Sequence, residues 1–142
     1  MSAKAGYSTP MLHVNEVERA MRFYELLGFK TVDTDRCSPI GWARMHCEGG
    51  ALMFLRAEEP VYAAAPGMIL CMYTPDLPGL REQLVAAGVA APEIRHPAYM
   101  SSGEMQFVDP DGYAVIVSQW GRPEQETWEK RLREKPAFEG SN

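Results

Sequence analysis

No stretch of this sequence approaches the ~20 consecutive apolar residues of a membrane-spanning helix. The opening MSAKAGYSTPM also lacks an apolar run of secretory-signal length. A membrane protein is therefore not expected, and the expected location is the cytoplasm. Cysteine is scarce: Cys37, Cys47 and Cys71 are odd in number, far apart and without a C-x-x-C spacing. That excludes a disulfide framework and a zinc knuckle, and the three read as buried free thiols. There is no basic tract either. Nineteen acidic against fourteen basic residues give a net charge of −5, which repels a phosphate backbone, so nucleic acid is not an expected partner. Proline and glycine are dispersed instead of concentrated in a linker or low-complexity segment.

What is present is one domain's worth of chain, 142 residues with 46% apolar content, enough to bury a core. The dominant signal is internal repetition. Met11-Leu12-His13-Val14-Asn15-Glu16-Val17 stands above Cys71-Met72-Tyr73-Thr74-Pro75-Asp76-Leu77 at an offset of sixty, which also matches Leu27-Gly28-Phe29 to Ala87-Gly88-Val89. Further on, Gly49-Gly50-Ala51-Leu52-Met53-Phe54-Leu55 matches Asp111-Gly112-Tyr113-Ala114-Val115-Ile116-Val117 at sixty-two.

Each copy reads as strand, helix, glycine stop, and then strands. The first helix is expected from about Glu16 to Leu27, with Val17, Ala20, Met21, Tyr24 and Leu27 on one face. Asn15 is its expected cap, with Glu18 completing a capping box. The second carries Leu77, Leu80, Leu84 and Ala87 at the same spacing, capped by Thr74 or Asp76, with Pro78 in the first turn. Gly28 and Gly88 supply the stops. Two β-like runs follow each helix, near 29–37 and 41–47, and near 92–97 and 103–108. The expected architecture is α+β: two tandem βαβββ repeats, about 7–57 and 67–120, forming a curved mixed sheet cup within a single domain. A charged helix at about 123–135, with Trp128 and Leu132 four apart, is followed by a loose tail from Pro136.

The patterns H-V-x-x-V-x-x-A-x-x-F-Y-x-x-L-G-F, from His13, and F-V-D-P-D-G-Y, from Phe107, resemble the vicinal oxygen chelate superfamily. That group holds glyoxalase I, bleomycin and fosfomycin resistance proteins, and extradiol dioxygenases. The resemblance covers roughly residues 8–120. It implies one metal-ligand position on the first and last strand of each repeat, which fall here on Thr9, Phe54, Ile69 and Ile116. None of these supplies the N, O or S donor set that a divalent cation needs. The sequence thus resembles a metal-free, bleomycin-resistance-like branch, with no cofactor expected. The resemblance also implies a homodimer, for which Trp128 and Leu132 offer an exposed contact.

Strand alternation supplies the expected lining of the cup. From the first repeat come Met11, His13, Trp42, Arg44, His46, Leu52, Phe54 and Arg56; from the second, Ile69, Cys71, Tyr73, Glu104, Gln106, Ala114, Ile116 and Ser118. Apolar walls with a few convergent polar groups suit a small molecule. The ligand-binding candidates are His13, Trp42, Arg44, His46, Phe54, Arg56, Tyr73, Glu104 and Gln106. Trp42, Phe54 or Tyr73 would stack on an aromatic or amphipathic antibiotic or metabolite, Glu104 would meet a cationic group, and Arg44 or Arg56 an anionic one. The alternative is a glyoxalase-like lyase or isomerase that uses His13 or His46 as general base with Glu104 as partner, or a non-standard metal site. Asp109-Pro110-Asp111-Gly112 reads as a turn, not as catalytic machinery.

Overall fold

The computed structural model describes residues 3–62 and 67–134. The elements are β1 (Met11–Val14), α1 (Val17–Glu25), β2 (Lys30–Thr34), β3 (Trp42–Cys47), β4 (Gly50–Arg56), β5 (Ile69–Thr74), α2 (Leu77–Ala86), β6 (Glu104–Val108), β7 (Ala114–Gln119) and α3 (Arg122–Glu134), with a 3-10 turn at Ala98–Met100. They form two compact units. Of the described residues, one comprises 3–62, 67–68 and 108–114, the other 69–107 and 115–134.

In the first unit the strands run in the order β1-β4-β3-β2, with β1 parallel to β4 and the other neighbours antiparallel. Alternation of burial follows the pleat: Leu12 and Val14 are buried while Met11 and His13 are exposed. The helix face expected from spacing forms around Val17, Ala20 and Tyr24, all buried, and Phe23 joins them. Met21 and Leu27 are only half-buried. Tyr24 anchors the core, its ring 5.2 Å from Phe54 and edge-on to Phe23 and Phe29.

The expected capping box does not form. Asn15 donates from Nδ2 to Asp111 Oδ1 (2.8 Å) and to the Val61 carbonyl (3.0 Å), and its Oδ1 accepts from Val61 N–H (2.8 Å). Glu18 Oε1 accepts from Ile40 N–H at 2.9 Å. Both side chains are drawn off by distant partners, leaving α1 without a side-chain cap.

The second unit holds the sheet β5-β7-β6 over a core of Leu70, Leu77, Leu84, Met105, Phe107, Val115 and Val117. Here Asp76 caps α2 as expected, accepting from Gly79 N–H at 3.1 Å. Residues 92–97 do not make the expected strand. A single bridge, Arg95 with Glu104, is all that pairs, because Pro92 and Pro97 have no N–H to donate to a ladder. The second repeat is therefore one strand short of βαβββ.

The three thiols also depart from expectation: Cys37 and Cys71 are exposed and Cys47 is half-buried. The charged C-terminal helix forms with no buried residue. Trp128 is exposed, its ring edge-on to Trp120 at 6.4 Å. The expected tail from Pro136 lies outside the described residues. Among the described residues no helix is long and apolar enough to cross a membrane.

Candidate functional site

The face of the first sheet turned away from the core carries four of the nine candidates, His13, Trp42, Arg44 and His46. Cross-strand register sets its membership. Met11 pairs with Met53, His13 with Leu55, Trp42 with Leu55, and Arg44 with Met53. Met11, His13, Trp42, Arg44, His46, Met53 and Leu55 thus share the open face. Phe54 pairs with Leu12 and Ala43, both buried, and is itself fully buried against Tyr24. The expectation that Leu52 and Phe54 line a cup is therefore corrected: both are core residues, and Met53 and Leu55 stand in their place.

The error lies in the turn. The glycine with positive φ between β3 and β4 is Gly49 (+80°), the equivalent of Gly112 (+91°) between β6 and β7. Gly49, not Gly50, is thus the counterpart of Gly112, which moves every residue of β4 by one against the offset of sixty-two, and one residue in a strand reverses the face. The position equivalent to Ile116 is Met53, so the four corners implied by the family resemblance become Thr9, Met53, Ile69 and Ile116.

Arg44 bridges two of these corners. Its guanidinium donates from one terminal nitrogen to Thr9 Oγ1 (3.1 Å), from the other to Met53 Sδ (3.8 Å), and from Nε to His46 Nε2 (2.9 Å). His46 accepts at Nε2, so in this arrangement it is neutral with its proton on Nδ1. The donor set does not fit a divalent metal. A hydroxyl and a thioether are weak ligands, and the space between them is taken by a permanent cation. Among the described residues no group of three or more His, Cys, Asp or Glu is placed to hold a metal ion.

A cleft of about 490 Å³ opens beside this face, lined by His13, Leu55, Arg56, Ala57, Glu58 and Val61. Its volume falls within the range of small-molecule sites. Arg56 is exposed at the end of β4, opposite Val14. It belongs by parity to the helix side of the sheet, another correction, but reaches the same cleft as His13.

The second unit places its candidates differently. Ile69, Cys71 and Tyr73 are exposed on β5 and Gln106 on β6, as alternation predicts. Ala114 and Ile116 are half-buried and Ser118 is buried. The Tyr73 ring stands edge-on to Trp120 at 6.4 Å. Glu104, expected to meet a ligand or act as an acid–base partner, is only 2% exposed. Its Oε1 accepts from the Tyr99 hydroxyl at 2.5 Å and from Gln106 Nε2 at 3.2 Å. The bond to Glu104 pushes the Tyr99 phenol above its ordinary value, since ionisation would forfeit the donor. Tyr99 lies in the 3-10 turn that follows Pro97. Nothing in its spacing signals the contact.

The Asp109–Gly112 turn serves structure, as its composition suggests. Asp109 Oδ2 accepts from the Tyr24 hydroxyl at 2.7 Å, and Oδ1 from the N–H groups of Asp111 and Tyr113, each at 2.9 Å. Asp111 Oδ1 accepts from Arg19 at 3.2 Å and from the Asn15 backbone and side chain.

A strand–helix–strand unit given twice, with an open sheet face in each copy, defines the vicinal oxygen chelate class of fold. The chain belongs to the Glyoxalase/Bleomycin resistance protein/Dioxygenase superfamily, whose family model matches residues 7–117. No curated protein matches the chain. Among solved structures, a bleomycin-binding protein complexed with bleomycin is similar at 22% identity and a TM-score of 0.65, over 82% of this chain and 100% of that one. TioX from Micromonospora sp. ML1 is similar at 16% identity and 0.66, over 81% and 98%. A mutant of the fosfomycin resistance protein FosX from Listeria monocytogenes, complexed with Mn(II) and 1S,2S-dihydroxypropylphosphonic acid, is similar at 12% and 0.65, over 88% and 99%. At these identities the likeness establishes fold, and function has to come from the site.

Proposed function

We propose that the protein is a metal-free binding protein that sequesters an aromatic or amphipathic small molecule, an antibiotic or a metabolite, on its open sheet faces. The observation that carries this reading is the composition of the first face. Trp42, Met53 and Leu55 share this face with Arg44, whose guanidinium contacts Met53, and Leu55 also lines the cleft with His13 and Arg56. Apolar surface with a few fixed polar groups is the usual makeup of a small-molecule site. The similar bleomycin-binding protein, solved with its antibiotic, supports the same class of activity. The rival reading, a lyase or isomerase with His and Glu as acid and base, loses ground because His46 Nε2 is already engaged by Arg44 and Glu104 is buried under Tyr99.

The test is a thermal-shift and calorimetry screen of bleomycin-type and aromatic antibiotics. A ligand at about a hundred times its Kd stabilises the native state by about 2.7 kcal/mol, which a melting curve resolves. At least one compound is expected to bind, and Trp42→Ala to weaken it by about tenfold through loss of stacking. Absence of both heat and stabilisation across the whole panel would sink the proposal.

A further inference from the structure

We propose that Arg44 replaces the metal ion of the first repeat as the ligand-recognising cation, and that it binds the carboxylate of a planar aromatic acid whose ring lies against Trp42. The inference rests on the binding function proposed above and names the chemistry of its ligand. Thr9 and Met53 stand at the two positions where the resemblance puts metal ligands in this repeat, and both contact the same guanidinium. The cation is thus held at the convergence point of the corner residues.

Its partners fix it without neutralising it. A hydroxyl, a thioether and a neutral imidazole accept three of its five N–H groups. One N–H on each terminal nitrogen remains, and that pair is what a carboxylate takes up in a bidentate contact. Among the described residues no carboxylate lies within 4.0 Å of Arg44. Asp33 is its backbone neighbour across the β2–β3 pair without forming an ion pair, and Lys30, beside His46, adds positive charge to the same edge. A half-buried cation supplied only with neutral acceptors is short of compensation, and an anionic ligand supplies it. The residue two positions away on the same face is Trp42, whose cross-strand neighbour is Leu55. An apolar, aromatic surface therefore adjoins the fork, which selects a flat acid over an inorganic anion.

Benzoate and its neutral isostere benzamide separate this role from a purely structural one. In calorimetric titrations of the full chain, benzoate is expected to bind at least about tenfold more tightly than benzamide, the worth of one charge-assisted contact. Arg44→Met is expected to lose that preference. Arg44→Lys, which keeps charge and stem but not the fork, is expected to lose most of it, and it decides the matter should Arg44→Met fail to fold. The Arg44 Nε–H resonance is expected to shift with benzoate and not with benzamide. Absence of benzoate binding at millimolar concentration, equal affinity for the two probes, wild-type affinity in Arg44→Lys, or tightening of benzoate by added Mn²⁺ would each overturn the inference. Equal binding of both probes removes the role of Arg44 and leaves the binding function standing. Failure of both probes and of the antibiotic panel removes the two together.

Discussion

Asp109 is a carboxylate held in the interior by three donated hydrogen bonds, with the buried Asp111 two residues away. Burial pushes its pKa above the ordinary carboxylate value, against the lowering effect of the bonds it accepts. Tyr24, pushed far up by burial and then by Asp109, stays the donor throughout the accessible pH range. The sign of the linkage follows. A raised native value means that the folded state holds the proton longer than the unfolded chain. The contribution of Asp109 to stability is thus complete below about pH 4 and is lost as pH rises through the raised value. Asp109→Asn retains an acceptor for the two backbone N–H groups and a donor for the Tyr24 oxygen, but has nothing to ionise. Urea unfolding from about pH 4 upward is expected to show the wild type losing stability relative to Asp109→Asn, then running parallel to it above the raised value. A constant difference across that range would mean that the carboxylate titrates no differently in the two states. None of this was visible in the sequence, where Asp109-Pro110-Asp111-Gly112 reads only as turn chemistry. Its partners, the buried Tyr24 and the half-buried Asn15, lie some ninety residues earlier.

At the scale of the element, the outcome in β4 turned on which of two adjacent glycines takes positive φ. Periodicity identified the strand, and in β1 and β5, where no glycine pair blurs the count, exposure alternates as the pleat requires. Gly49-Gly50 offers two counts, and the structure takes the one that buries Phe54. Phe54→Ala is therefore expected to destabilise the protein by about 3–5 kcal/mol, as large-to-small changes in a packed core do. Leu55→Ala, on the open face, is expected to cost about 1 kcal/mol or less while weakening ligand binding. Denaturant unfolding of the two variants checks the assignment, and the reverse order would restore the original register. The missing strand at 92–97 has a similarly local cause, since two prolines outweigh a β-like pattern. The misplaced cap at Asn15 has a distant one, since Asp111 and Val61 compete for the same side chain.

At the scale of the molecule, the repeat was the most legible feature, because a constant offset survives errors in any single element. The family pattern added the identity of the fold. Oligomeric state is a separate matter. Met11, Ile69 and Tyr73, 48%, 52% and 62% exposed, leave apolar surface on the open faces of both units, and Trp128 leaves more on α3. Should these faces pair two copies of the chain, sedimentation velocity at micromolar concentration is expected to give twice the monomer mass. A monomer at all concentrations would mean that these side chains serve the ligand alone.

The segment 108–114 sits within the chain of the second repeat yet belongs to the compact unit of the first. Asp109 and Asp111 accept hydrogen bonds there from Tyr24, Asn15 and Arg19. Until residues 108–114 have left the ribosome, the buried Tyr24 hydroxyl is without the acceptor that Asp109 gives it in the folded unit. The duplication evident in the sequence has therefore not left the first copy autonomous: cut away from residues 108–114, it would lose the acceptors of Tyr24, Asn15 and Arg19.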